Sequence, residues 1–126
     1  MRGSQMLNKK YKHIIEISAS EPSTPYLYDC DVVITDYSSI IFDGYLLGKP
    51  SVLYSPNFDY VTRRGMYMEY PQEYSSRYAK DEQELLNLLR ITNNLTRIEK
   101  NVIDKVANKC DGYSCERICN LIDKLR

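Results

Sequence analysis

The stretch DVVITDYSSIIFDGYLLGKP, residues 31–50, constrains the fold of this chain more than any other. Its continuous Val-Val-Ile run predicts a strand over Cys30–Asp36, and such continuity is typical of strands buried on both faces of a parallel sheet. Apolar residues at helical spacing follow over Ile40–Leu47, and Ser51–Tyr54 predicts the next strand. A strand, a helix and a strand joined by short connections indicate a βαβ unit, so the chain is of the α/β class.

Further elements are predicted on both sides of this unit. β-branched residues favour a strand over Tyr11–Ile17, and Arg77–Ala79 favours a short one. A short helical turn precedes the unit over Tyr26–Asp29. Asp81, with Glu84 three residues later, predicts a capped helix, and two more helices are expected over residues 95–108 and 114–124. We expect the last helix to bury Ile118, Cys119, Leu121 and Ile122.

These elements predict a mostly parallel sheet of three to four strands flanked by helices, with a helical C-terminus. One domain over residues 11–126 suits the length of 126 residues, and residues 1–10 are expected to be a disordered leader or the remnant of a tag.

Composition excludes several classes of protein. An apolar fraction of 43% and balanced charges, 17 Lys+Arg against 17 Asp+Glu, argue against disorder and leave no basic field for nucleic acid. No run approaches the ~20 apolar residues of a membrane span. Without a secretion signal we expect a cytoplasmic protein with reduced thiols. No CxxC occurs and His13 is the single histidine, so buried helix cysteines are favoured over a metal site.

The polar residues that follow the first strand of the βαβ unit predict an anion site. Ligands of open α/β sheets bind at the carboxyl ends of the strands, where Thr35, Asp36, Ser38 and Ser39 lie. The two serines also stand at the first turn of the next helix, whose free N–H groups attract phosphate. The alternative is that Ser38 only caps the helix.

The run Thr35 to Ser39, followed by Ile-Ile-Phe-Asp, resembles the signature of the CDP-glycerol glycerophosphotransferase family, enzymes of teichoic-acid and capsule synthesis. Three further stretches are similar to that family: Lys49–Pro56, Asp59–Tyr67 and Asp111–Ile118. The resemblance implies part of the carboxyl-terminal, Rossmann-like lobe of a GT-B transferase, which holds the nucleotide-activated donor.

In that family an acceptor hydroxyl on a polymer or lipid-linked chain attacks the β-phosphate of CDP-glycerol, and CMP leaves. Carried over by position, the resemblance implies that Ser38 and Ser39, beside Thr35 and Asp36, bind the donor diphosphate. It implies that the Arg64 guanidinium compensates the negative charge of the phosphate groups. Asp43 either orients the site or is only a polar residue on an exposed flank. No metal or other cofactor is implied, and the expected place is the cytoplasm, at the inner face of the membrane as a peripheral protein.

The family's amino-terminal lobe, with its presumed catalytic base, has no counterpart here, and His13 matches no family histidine. We therefore expect a donor-binding portion that is inactive alone. The alternatives are a non-catalytic module that binds a nucleotide or a protein, and a transferase that uses another donor such as CDP-ribitol.

Strands that separate residues 12–17 from residues 31–36 in the family's sheet are also missing from this chain, so we expect either a rearranged small sheet or a homodimer. A cluster of tyrosines, Tyr60, Tyr67, Tyr70, Tyr74 and Tyr78, is either a stacking surface or a product of compositional bias.

Overall fold

The computed structural model of this chain describes residues 13–56, 65–66 and 68–125. In chain order the elements are α1 (Thr24–Asp29), β1 (Val33–Thr35), α2 (Ile40–Leu46), β2 (Ser51–Tyr54), β3 (Tyr78–Ala79), α3 (Glu82–Ile91), α4 (Arg97–Val106) and α5 (Ser114–Lys124). The three strands form one parallel sheet in the order β1-β2-β3. This confirms the predicted α/β class, with a parallel sheet flanked by helices and a helical C-terminus.

The βαβ unit has the predicted arrangement. β1 and β2 pair with Val33 opposite Ser51, and the Val33 N–H donates to the Pro50 carbonyl at 2.9 Å. Helix α2 lies tightly on β1, because a Cβ atom at Gly44 would stand only 2.9 Å from Val33 Cγ2. Beyond α2 the chain turns at Gly48, whose φ of 74° is the left-handed conformation that favours glycine after a helix.

The core is formed by α2, the sheet, α4 and the segment before β3. Its buried members are Ile41, Tyr45, Leu53, Met68, Tyr70, Tyr74 and Val102. The Tyr45 hydroxyl lies 2.6 Å from Ser51 Oγ and donates to the Tyr74 carbonyl at 2.8 Å. Burial raises the pKa of Tyr45 to about 12, so its hydroxyl is protonated at neutral pH.

Side-chain caps determine where α3 and α4 begin. Asp81 accepts the Glu84 N–H at 2.8 Å, as predicted from their spacing. Thr96 and Glu99 form a capping box at the start of α4, which the sequence analysis missed. The Glu99 carboxylate is fully buried and also accepts a hydrogen bond from the Arg77 guanidinium at 2.8 Å. The cap therefore connects α4 to the residues that precede β3.

The strand predicted over Tyr11–Ile17 is wrong for its described part. Residues 14–18 are irregular, and the Ile15 side chain is 86% exposed. β-branched residues favour a strand only where a partner strand and a surface to pack on are present. The predicted rearrangement, in which this segment joins the small sheet, is therefore not found.

The sequence analysis predicted more burial in β1 and α5 than the structure has. Ile34 in β1 is 48% exposed, so this strand is not covered on both faces. Every residue of α5 is exposed, including the four that we expected to be buried: Ile118, Cys119, Leu121 and Ile122. Cys110 and Cys115 are exposed as well, whereas Cys30 is half-buried. Spacing shows that a helix has an apolar face, but it does not supply a surface that covers it.

Candidate functional site

The predicted site residues meet in one turn at the carboxyl end of β1. Thr35 ends the strand and is half-buried, while Asp36, Ser38 and Ser39 are exposed. Asp36 Oδ1 accepts the Ser38 N–H at 3.1 Å, and Ser38 Oγ accepts the Ile40 N–H at 3.4 Å. The structure thus brings four of the six predicted residues together, and their own side chains shape the turn.

These contacts determine which groups of the turn can meet a ligand. The Ser38 N–H already donates a hydrogen bond to the Asp36 carboxylate, so it is not available to donate to an anion. The Ser38 hydroxyl oxygen accepts the Ile40 N–H, but the residue at the N-cap position of α2 is Ser39, so the alternative in which Ser38 is only the helix cap is not found. The Ser38 hydroxyl proton can still be donated outward. Ser39 is the residue before the first turn of α2, and its side chain makes no capping bond. The hydroxyl groups of the two serines are therefore exposed donors that this turn can offer to a ligand.

The other two predicted residues differ from these four. Asp43 lies one turn further along α2 and is exposed. Arg64 lies outside the described residues, as do Tyr60 and Tyr67 of the tyrosine cluster. Gly65, directly after Arg64 in the chain, is described and has a φ of 71°.

Two tyrosine hydroxyls contact the ends of neighbouring strands. Tyr70 donates to the Asp36 carbonyl at 3.5 Å, and Tyr78 donates to the Ser55 carbonyl, just after β2, at 3.2 Å. The Tyr70 ring meets the Tyr74 and Tyr78 rings edge-on, with centroids 5.6 and 6.0 Å apart. Sequence reasoning missed these roles, because only the density of tyrosines marked this segment.

The burial of these tyrosines argues against an exposed stacking surface at this part of the cluster. Tyr70 and Tyr74 are buried and Tyr78 is half-buried. Burial raises the pKa of Tyr70 to about 12.

Within residues 13–56, 65–66 and 68–125, no three or more His, Cys, Asp or Glu side chains are grouped so that they could hold a metal ion. In the same described part of the chain, none of the helices combines the length and the apolar character that a membrane crossing requires.

Comparison with known proteins gives one family. The sequence model of CDP-Glycerol:Poly(glycerophosphate) glycerophosphotransferase matches residues 2–124. The chain is 30% identical over 100 residues to the teichoic acid glycerol-phosphate transferase of Staphylococcus aureus, over 75% of this chain and 26% of that protein. It is 31% identical over 100 residues to the teichoic acid glycerol-phosphate primase of Bacillus subtilis, over 79% of this chain and 26% of that protein.

A third relative is named for a different polyol. The teichoic acid poly(ribitol-phosphate) polymerase of Bacillus spizizenii is 30% identical over 94 residues, which are 73% of this chain and 15% of that protein. The level of identity therefore does not separate glycerol from ribitol. No solved structure matches the chain.

The chain spans about a quarter of the length of the first two relatives. The family match nevertheless covers nearly all of its residues, and the turn from Thr35 to Ser39 lies within it. The chain belongs to the CDP-glycerol:poly(glycerophosphate) glycerophosphotransferase family.

Proposed function

We propose that this chain is the donor-binding portion of a teichoic-acid-type polyol-phosphate transferase, with CDP-glycerol or a related CDP-polyol as its donor. The observation that carries the proposal is the exposed turn with Thr35, Asp36, Ser38 and Ser39 at the carboxyl end of β1 in a member of this family. Open α/β sheets bind their ligands at this edge.

The proposed role of the turn is to hold the donor diphosphate. The Ser38 and Ser39 hydroxyls donate to phosphate oxygens, and Arg64 supplies the positive charge that a carboxylate-bearing turn lacks. Asp36 contributes by keeping the turn in shape through the Ser38 N–H. Asp43, which is exposed, either orients the site or is only a polar residue on an exposed flank. No residue of the turn acts as a base.

The proposed reaction is a phosphoryl transfer. An acceptor hydroxyl on a polymer or lipid-linked chain forms a bond to the β-phosphorus, while the bond from that phosphorus to the bridging oxygen breaks. CMP leaves with the bridging oxygen, and the acceptor proton passes to a base outside this chain. Such transfers depend on positioning and on stabilisation of charge, which one turn supplies only in part. We therefore propose that residues 11–126, as one partial lobe of a GT-B enzyme working at the cytoplasmic face of the membrane, bind donor without turning it over.

Calorimetric titration tests this function. We expect CDP-glycerol and CDP to bind and CMP, which lacks the β-phosphate, to bind more weakly. The double variant Ser38→Ala/Ser39→Ala should bind CDP-glycerol at least tenfold more weakly, since two donated hydrogen bonds to a charged group are lost. Ser76→Ala, an exposed serine away from the turn, is the matched control and should bind like the wild type. Equal affinity in both variants would overturn the assignment of the turn, and acceptor-dependent release of CMP would overturn the proposed inactivity.

A further inference from the structure

We propose that Tyr70 is a positioning residue for the donor: its hydroxyl holds the Asp36 turn in the conformation that presents the Ser38 and Ser39 hydroxyls. This inference rests on the proposed function, because it concerns how that same turn is made ready for a diphosphate. It concerns a residue that lies 34 positions away from the turn in the sequence.

The Tyr70 side chain is held firmly before it reaches the turn. Tyr70 is only 8% exposed, and its ring lies edge-on to Tyr74 and Tyr78 with centroids 5.6 and 6.0 Å away. Its hydroxyl emerges from this packing beside the sheet edge, where it hydrogen-bonds to the Ser55 side chain and lies 3.5 Å from the Asp36 carbonyl oxygen. A long bond of this kind is weak by itself, but the packed ring fixes where its donor points.

Asp36 is held from two sides, and both contacts bear on the serines. Its carboxylate accepts the Ser38 N–H at 3.1 Å, and its carbonyl accepts the Tyr70 hydroxyl. The peptide after Asp36 therefore cannot rotate without breaking one of the two bonds. Asp36, Ser38 and Ser39 are themselves exposed, and half-buried Tyr37 is the side chain of the turn that packs on the core. Tyr70 thus supplies a hydrogen bond from the core to this backbone.

The direction of the bond is fixed by chemistry. A carbonyl oxygen can only accept, and burial raises the pKa of Tyr70 to about 12, so the hydroxyl keeps its proton at any pH used for binding.

The test compares three single-oxygen deletions by their dissociation constants for CDP. Tyr70→Phe keeps the ring and removes the hydroxyl's contacts with the Asp36 carbonyl and with the Ser55 side chain. Tyr45→Phe removes a fully buried hydroxyl that contacts Ser51 and the Tyr74 carbonyl. Tyr78→Phe removes the bond to the Ser55 carbonyl. We expect Tyr70→Phe to weaken CDP binding about threefold, near the lower end of the range for loss of one hydrogen bond, because the bond to Asp36 is long. We expect the two controls to bind like the wild type, although Tyr45→Phe should be the least stable.

Each outcome bears on one claim. Failure of the wild type to bind CDP refutes the proposed function before Tyr70 is considered. Wild-type affinity in Tyr70→Phe refutes the positioning role and leaves the proposed function standing. An equal loss of affinity in Tyr45→Phe also refutes it, since the effect would then be general destabilisation. If Tyr70→Phe is partly unfolded, the dissociation constant is referred to the folded fraction, and a corrected value equal to the wild type counts against the inference.

Discussion

The buried ion pair between Arg77 and Glu99 provides the sharpest test of how this fold is held together. Glu99 is fully buried, and its two carboxylate oxygens accept from Arg77 at 2.8 and 3.1 Å, from Ser75 Oγ at 3.0 Å and from the Thr96 N–H at 2.7 Å. A carboxylate can accept all of these bonds. The amide of Glu99→Gln has one acceptor and one donor nitrogen, so a donor of Arg77 or of Thr96 must face another donor.

The expected loss follows from burial. Removing one partner of a buried ion pair costs about 3–5 kcal/mol because the other charge is left uncompensated. The Arg77 side chain is 11% exposed and keeps its bond to the Asn94 carbonyl at 2.7 Å, so the lower end of that range applies. We therefore expect Glu99→Gln to lower the free energy of unfolding by about 3 kcal/mol, a large part of the ~5–15 kcal/mol of a typical domain.

Urea denaturation followed by circular dichroism measures this loss. Lys105→Gln is the matched control, because it breaks an ion pair on the same helix, to Glu73 at 3.0 Å, whose side chains are 51% and 45% exposed. Exposed ion pairs contribute little to stability, so the urea midpoint of Lys105→Gln should stay close to that of the wild type. A midpoint of Glu99→Gln that matches the Lys105→Gln midpoint, with the same slope, would refute the reasoning.

Substitutions at three further positions test the core and a helix cap. Burial raises the pKa of Tyr45 from 10.0 to about 12, so its stabilisation is complete below pH 10 and is lost as pH rises to 12. The wild-type advantage over Tyr45→Phe should shrink by about 2–3 kcal/mol over that interval, as measured by denaturation at each pH. Gly44→Ala should destabilise by about 1 kcal/mol, since overpacking outweighs the gain in helix propensity; a smaller loss in a Val33→Ala background would identify the clash with Val33 Cγ2. Asp81→Ala should cost about 1 kcal/mol by thermal melting because α3 loses its cap, whereas Asp81→Ser should cost much less.

The sequence predicted those parts of the fold that depend on local pattern. The βαβ unit could be found because its periodicity changes within twenty residues and Gly48 marks the end of the helix. The candidate site was predictable for the same reason. Thr35, Asp36, Ser38 and Ser39 are contiguous, so any strand followed by a helix brings them to one turn.

Contacts between distant residues could not be predicted in this way. Arg77 and Glu99 are 22 residues apart, and Tyr70 and Asp36 are 34 residues apart. Nothing in the spacing of these pairs indicates that they meet. The same limit explains the errors at Ile15 and in α5, because apolar or β-branched patterns describe one element and not the surface that it needs.

Amide NMR of the ¹⁵N-labelled chain during a CDP-glycerol titration tests the central claim most directly. We predict saturable shifts concentrated at the amides of Thr35, Ser38, Ser39 and Ile40, where β1 ends and α2 begins. The amide resonances of α5, which lies outside the proposed site, should not shift and serve as the internal control. Saturable shifts in α5 with none in the turn, or no saturable shift in either, would contradict a donor site at this edge of the sheet.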